Sequence, residues 1–418
     1  MVQSAAGQIS IDLVEITSAK GEKVDITNLV MEVNVYEDIF SPVMSGNIVV
    51  VDAVGILNTL PIVGQEKVNI HISSQLWNTI KFEFHTYSIT ERNAENKTTT
   101  SYLINFVSKE AIDDKITRIS KSYRGTQGTI AKTVFKDWIS TSKNFAVENT
   151  AHNTSFVVPY WSPFETINYL ASRSVPNYPG AAAGMLFYEN QSGFRFESIQ
   201  TLFSGESLGE LTSRDSNIHS STSSTSKISY AGLTIEDYEV LETSDTMKAM
   251  SNGMLGTTLY SKDLTKNSWT KKDWNYLVEA PKAKHLNKNL LFPETNAFGY
   301  KFKNVMNEAR FVYTHNNIFT DIGDNFFPKE WVGSRISLLQ QLNSTRLNIS
   351  VPGHILFSAG KLIDLVFPNN APVNSRSMEI DPFLSGKYLI STVRHNFQLK
   401  FHRVSFEAIR DSISGVTI

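Results

Sequence analysis

Val107-Ser108-Lys109-Glu110-Ala111-Ile112-Asp113-Asp114 returns 297 residues later as Val404-Ser405-Phe406-Glu407-Ala408-Ile409-Arg410-Asp411, six of the eight positions identical. Landmarks before each copy keep the same order. Tyr87-Ser88-Ile89-Thr90 answers to Tyr388-Leu389-Ile390-Ser391, and Asn47-Ile48-x-Val50 to Asn348-Ile349-x-Val351. Leu60-x-x-x-Gly64 followed by Val68-x-Ile70 answers to Leu356-x-x-x-Gly360 followed by Ile363-x-Leu365. The spacing drifts by a few residues only, as small loop insertions produce. One match is what chance reuse of strand patterns gives; four in order predict a single β-module used twice, with Glu110 lying over Glu407. Gly64 and Gly360 are then expected in turns with positive φ.

Working outward, residues 1–112 read as strands. Ile9-Ser10-Ile11-Asp12-Leu13, Val33 with Val35, Ile48 to Val51, Val68 to Ile72, Phe82-Glu83-Phe84 and Tyr102-Leu103-Ile104 lie between turn signals such as Lys20-Gly21-Glu22. This spacing fits an antiparallel barrel or sandwich. Residues 113–226 change period: Ile130, Val134, Trp138 and Ile139 stand at helical spacing. Ser162-Pro163-Phe164-Glu165 has the form of a capping box with proline at the first helical position. Met185 to Tyr188 and Phe194 to Phe196 flank a hairpin turn at Asn190-Gln191-Ser192-Gly193. The Ser/Thr-rich stretch Thr212–Lys227 closes this α+β unit as a linker. Residues 227–278 and 344–418 then form the second β-module, with strands at Thr257 to Tyr260 and Trp274 to Leu277. Residues 279–343 are an insertion, irregular apart from a helix over about 329–342. The expected fold is mainly β: two related antiparallel β-barrel modules at the chain ends flank a mixed α+β domain.

Composition narrows the function. The 418 residues suggest two or three domains, and 41% hydrophobic with 11% aromatic residues excludes a disordered chain. A net charge of −2 lacks the basic excess of a free-standing nucleic-acid binder. With no cysteine there is no disulfide, iron–sulfur cluster or thiol nucleophile. The start Met1-Val2-Gln3-Ser4-Ala5-Ala6-Gly7 lacks a signal-peptide pattern, and the longest apolar stretch, Asn47 to Leu60, is broken by Asp52, Gly55 and Asn58. A soluble protein without membrane insertion is expected.

No motif carries catalysis. There is no phosphate-binding Gly-x-x-x-x-Gly-Lys-Ser/Thr loop and no Gly-x-Ser-x-Gly elbow; Gly180-Ala181-Ala182-Ala183-Gly184 reads as a flexible turn. Histidines 71, 85, 152, 219, 285, 315, 354, 395 and 402 are scattered. His395 and His402 bind a metal only if a hairpin turn joins them and a carboxylate completes the set; otherwise they are ordinary surface histidines. Asp113-Asp114 reads as a structural strand end, and Glu236-Asp237 as a solvated pair. Asp321-Ile322-Gly323-Asp324-Asn325 is a calcium-loop fragment without the later ligands. Lys262, Lys266, Lys271 and Lys272 alternate with Trp269 and Trp274, before Lys282-Ala283-Lys284-His285. Lysines guarding a strand edge explain them better than a nucleic-acid face.

The run Tyr160-Trp161-Ser162-Pro163-Phe164-Glu165-Thr166-Ile167-Asn168-Tyr169-Leu170-Ala171, leading into Met185 to Asn190 and Gly193 to Phe196, resembles the central baseplate hub proteins of contractile-tailed, T4-related bacteriophages. So does the ending, Gly386-Lys387-Tyr388-Leu389-Ile390 to Glu407-Ala408-Ile409. The resemblance implies a homotrimer with two tube-type barrels per subunit. Six barrels would form a ring that adapts the six-fold tail tube to the three-fold central spike and leaves a lumen for DNA. Implied partners are the spike, tail-tube or tube-initiator proteins and neighbouring baseplate wedge proteins, in a virion tail assembled in the host cytoplasm. The single-copy unit, about 113–226, should define the three-fold face that meets the spike, and the lumen should carry few lysines and arginines. No catalytic residue, cofactor or metal is expected. The other class in view is a tail-associated glycan hydrolase or glycan-binding protein.

Overall fold

The computed structural model describes residues 6–56, 62–95, 98–213, 233–243, 245–264, 267–292, 308–314, 327–369 and 380–414. Leu60, the serine run at 220–226, His219, His315, Lys266 and the 321–325 fragment lie outside them. The chain is mainly β. Alternating apolar residues first make β1 (Ser10–Thr17), β2 (Lys23–Asp25), β3 (Val30–Asp38), β4 (Ser45–Asp52), β5 (Lys67–Ser73), β6 (Ile80–Ala94) and β7 (Thr100–Val107). Helix α1 (Lys109–Ile116) leads to β8 (Ser122–Thr126), α2 (Gln127–Trp138), β9 (Phe145–Val147), β10 (Asn153–Val157) and α3 (Pro163–Arg173). Next come β11 (Met185–Asn190), β12 (Gly193–Ser198), α4 (Ile199–Leu202), β13 (Ser207–Thr212), β14 (Asp237–Thr243) and α5 (Thr246–Ser251). A smaller sheet follows from β15 (Gly256–Asp263), β16 (Ser268–Asn275) and, after α6 (Tyr276–Glu279) and β17 (Asn289–Leu290), β18 (Glu308–Thr314). Helix α7 (Pro328–Leu342) precedes β19 (Thr345–Pro352), β20 (Leu362–Val366), β21 (Gly386–Gln398), β22 (Phe401–Arg410) and β23 (Ser412–Ile413).

The capping box forms as the sequence predicts: Glu165 N–H donates to Ser162 Oγ at 3.2 Å, and Ser162 N–H to Glu165 Oε2 at 3.4 Å. It fixes the start of α3, whose Phe164, Ile167 and Leu170 pack with Ile130 and Val134 of α2 on Phe187, Phe194 and Phe196. Two expectations fail locally. Tyr276 and Leu277 leave the strand because Asn275 Oδ1 caps a helical turn, accepting Leu277 N–H at 3.0 Å. Within the stretch read as irregular, β18 runs parallel to β15, a partner distant in sequence.

One 13-stranded sheet dominates. Its N-terminal half runs β3-β4-β7-β6-β5-β1 and its C-terminal half β14-β19-β22-β21-β20-β13, the same strands in the same chain order. Neighbours are antiparallel throughout, except β13, which joins β20 in parallel. The halves agree in detail. β6 and β21 share a register shift at the equivalent step, between Thr86 and Ser88 and between Ile390 and Thr392; β6 has a second, between Thr90 and Asn93. Gly64 and Gly360 take φ of +88° and +86°. Thr86 N–H donates to Glu66 O, and Ile390 N–H to Lys361 O, each at 2.9 Å.

The eight-residue match itself is not an equivalence of structure. Asn105 lies opposite Asn47, and Glu407 opposite Asn348, so the counterpart of Glu407 is Asn105 and not Glu110. Likewise Phe84 opposite Val68 answers to Tyr388 opposite Ile363, which displaces Tyr87 from that role. Val404 to Arg410 stays extended because β19 and β21 flank it on both sides. Past Val107 the pairing with β4 ends at Ser45, and the same letters close into α1.

Candidate functional site: the seam between the half-sheets

The halves meet where β21 pairs antiparallel with β3, from Thr392 opposite Asp38 to Gln398 opposite Glu32. Residues directly opposite on neighbouring strands share a face. Asn105, Asn47, Asn34, Asn396 and Arg403 are opposite in turn across β7, β4, β3, β21 and β22, so a polar row crosses the seam. Asn34 Nδ2 donates to Asn47 Oδ1 at 2.9 Å, while Asn34 Oδ1 accepts from Asn396 Nδ2 at 2.8 Å and Arg394 Nε at 2.9 Å. Serines and Tyr36 make the adjacent row: Ser45, Tyr36, Arg394, Ser405 and Ser350. Each arginine on this face has a carboxylate: Arg394 with Glu32 at 3.1 Å, Arg346 with Glu407 at 2.8 Å, Arg403 with Glu236 at 3.3 Å. The face is polar, its arginines are each charge-compensated, and Asp38, Asp237 and Glu239 add further carboxylates to it.

The opposite side of the seam is buried. Glu37 follows Val33 and Val35 in the inward phase of β3 and accepts hydrogen bonds from Ser358 Oγ at 2.6 Å and Ala359 N–H at 2.9 Å. Burial outweighs these bonds and pushes its carboxyl up to about 7. His395 and His402 are also fully buried, not the surface pair the sequence suggests. The hairpin of β21 and β22 brings His395 Nδ1 to 3.1 Å from His402 Nε2, with Gln191 Nε2 at 3.1 Å from His395 Nε2. Burial holds His395 down to about 4 and His402 well below the usual histidine range, so both are neutral at pH 7. No carboxylate completes a metal set there; among the described residues no group of three metal-binding side chains exists.

A third buried cluster ties the α+β unit to the first half-sheet. Lys143 Nζ lies 2.8 Å from Glu110 Oε2 and 2.6 Å from Glu189 Oε1, and Glu189 Oε2 accepts Met44 N–H at 2.9 Å. Burial opposes the ammonium, yet the two carboxylates raise its pKa above the ordinary value.

The remaining sequence candidates are structural. Asp114 Oδ1 accepts Phe164 N–H at 2.6 Å, which makes it a tie between α1 and α3 rather than a strand end. Glu236 is the ion-pair partner of Arg403, not a solvated carboxylate. Lys262 stands opposite Trp269 and 5.3 Å from its ring, and Lys271 pairs with Asp273 at 3.1 Å. Lys262 and Lys271, opposite Trp269 and Tyr260, share one face, whereas Lys272 faces the other way, and β16 is an edge strand of its sheet. Gly184 sits against Leu338, where a Cβ would come within 2.5 Å. The sequence reading missed Glu37 and Lys143; the period-two pattern Val33, Val35, Glu37 was the signal for the first.

No family model matches the chain, and no curated protein matches it by sequence. Solved structures do. A tail protein from Neisseria meningitidis MC58 aligns over 96% of this chain and 96% of its own, with TM-score 0.55 at 11% identity. The 43 kDa tail protein of prophage MuSo2 from Shewanella oneidensis aligns over 96% of this chain and 99% of its own, with TM-score 0.56 at 10% identity. At such identities the likeness is one of fold: this chain shares, nearly end to end, the architecture of these two tail proteins.

Proposed function

We propose that the chain is a structural hub of a phage tail baseplate, acting as a homotrimeric ring between a six-fold tail tube and a three-fold central spike. The observation that carries this reading is the doubled half-sheet. Two units of one strand order, joined edge to edge in one chain, give a trimer six near-equivalent units. The tail-protein fold of the two solved neighbours supports the setting. Residues 1–112, and 227–278 with 344–418, serve as the two tube-like barrel modules, the second taking in β13 as well and carrying the small sheet of β15, β16 and β18. The α+β unit, 113–226, occurs once per chain and so presents three copies, suited to the spike; 279–343 is an insertion on the second module. The polar face across the seam lines the lumen, where compensated arginines let DNA pass without phosphate gripping. Tube, tube-initiator and wedge proteins are the neighbours in this scheme. The assembly belongs to the virion tail and is built in the host cytoplasm.

Light scattering tests the reading. Three 46.9 kDa chains per particle are expected, and release of reducing sugars from host envelope material is expected to be absent. A monomer at micromolar concentration would make trimer assembly depend on the binding partners, and sugar release abolished by changing one carboxylate would replace the hub by the hydrolase alternative.

A further inference from the structure

The seam is itself a rule for joining half-sheets. β22 runs along one edge of β21, while β20 covers the other edge only over Gly386–Leu389. Beyond that point β3 takes the same edge, because a strand has only two. The counterpart strands are arranged alike. β7 runs along one edge of β6, and β5 covers the other only from Ile80 to His85. Past His85, no described strand takes that edge, so Ser88–Ala94 has an open side. The counterpart of β3 is β14, which pairs with β19 on one edge and among the described residues has no strand on the other. Each half-sheet thus leaves open the edge that its counterpart uses at the seam.

We propose that β6 of one copy pairs antiparallel with β14 of a second copy, repeating the β21–β3 seam between chains. The register follows from the shared frame. Asn34 faces Asn47 and Glu239 faces Asn348, which makes Glu239 the counterpart of Asn34. Asn396 faces Arg403 and Asn93 faces Ser101, each four positions before the equivalent pair Glu407 and Asn105. The Asn34–Asn396 contact therefore becomes Glu239–Asn93 between copies, with Tyr238 opposite Ala94. Glu91, at φ +51°, and Arg92 bulge out of the ladder, which runs in two short pieces around them.

Each edge carries charged residues and one β-bulge, but lacks the stronger blocks. Asp237 to Thr243 and Ser88 to Ala94 contain no proline and no lysine, the residues that commonly blunt an edge. β14 instead exposes Tyr238, Val240 and Leu241. Because the two edges differ, the contact is head-to-tail, the type that closes rings. This inference rests on the trimeric reading and supplies its lateral interface.

The chain has no cysteine, so Asn93→Cys and Glu239→Cys introduce the only thiols, both at exposed positions. Oxidation of the double variant is expected to give covalent dimers and closed trimers on a denaturing gel. A mixture of the two single variants should stop at dimers. Disulfides require Cα atoms within about 7 Å, so a shifted register gives no product. Light scattering of the reduced double variant separates the two claims. A trimer that yields no interchain disulfide overturns the β6–β14 pairing and leaves the trimer standing. A monomer without disulfide overturns both.

Discussion

At the residue scale, the polar groups that matter are those buried where units meet. Glu37 has its carboxyl raised from 4.5 to about 7, with Ser358 and Ala359 as donors. A carboxyl with a raised folded pKa binds its proton more tightly when folded, so its penalty is absent below the unfolded value. The penalty grows as pH rises from about 4.5 to about 7 and is complete above that. Its upper size is about 3 kcal/mol. Glu37→Gln keeps an acceptor for both donors and removes the titration. Chemical denaturation should show it more stable than the native chain at pH 8 and equal to it near pH 4.5. An equal change at both pH values would mean that the gain is packing and not charge. The buried histidines act in the opposite sense: with folded pKa values depressed, their contribution is lost as pH falls from the unfolded value near 6.5 through about 4.

At the element scale, two glycines mark equivalent turns but have different surroundings. Gly360, at φ +86°, would place a Cβ 2.5 Å from Tyr188 Oη and 3.4 Å from Leu202. Gly64, at φ +88°, would place a Cβ nearest the Tyr87 backbone, 3.0 Å from its carbonyl oxygen. A β-branched residue at positive φ costs about 1–3 kcal/mol at either site. Overpacking against the buried Tyr188, whose hydroxyl donates to Glu197 at 2.6 Å, adds to this at Gly360. Gly360→Val should therefore lower the thermal midpoint clearly more than Gly64→Val, and both should weaken assembly. Equal midpoints would show that backbone strain alone sets the cost. The same scale explains the register slip of the repeat. Glu-Ala-Ile suits a helix or a strand, and the number of flanking strands decides between them.

At the scale of the whole molecule, the polar rows matter together. Asn105, Asn47, Asn34 and Asn396 bring no charge, and Arg394, Arg346 and Arg403 are each paired. Such a face has little counterion release to drive phosphate binding. Asn105→Lys with Asn396→Lys should convert it into a salt-sensitive DNA-binding surface. The native chain should show no retention of duplex DNA in a gel shift at about 0.15 M salt. Retention by the native chain would remove this face from the lumen.

By itself, the sequence determined the β-rich architecture, the capping box of α3, the hairpin at Asn190–Gly193 and the doubling of one strand plan. These are readable because period, caps and turn residues act over a few neighbours. Identity of letters, however, misplaced the repeat, since hydrogen-bond register is set between strands far apart in the chain. Tertiary structure alone decided that Glu407 answers to Asn105, that His395 and His402 meet in the core, and that β18 joins β15. It also decided that β3 and β21 fuse the two halves into one sheet. Each is a contact between distant segments, and its energy comes from burial and edge pairing that no local pattern contains.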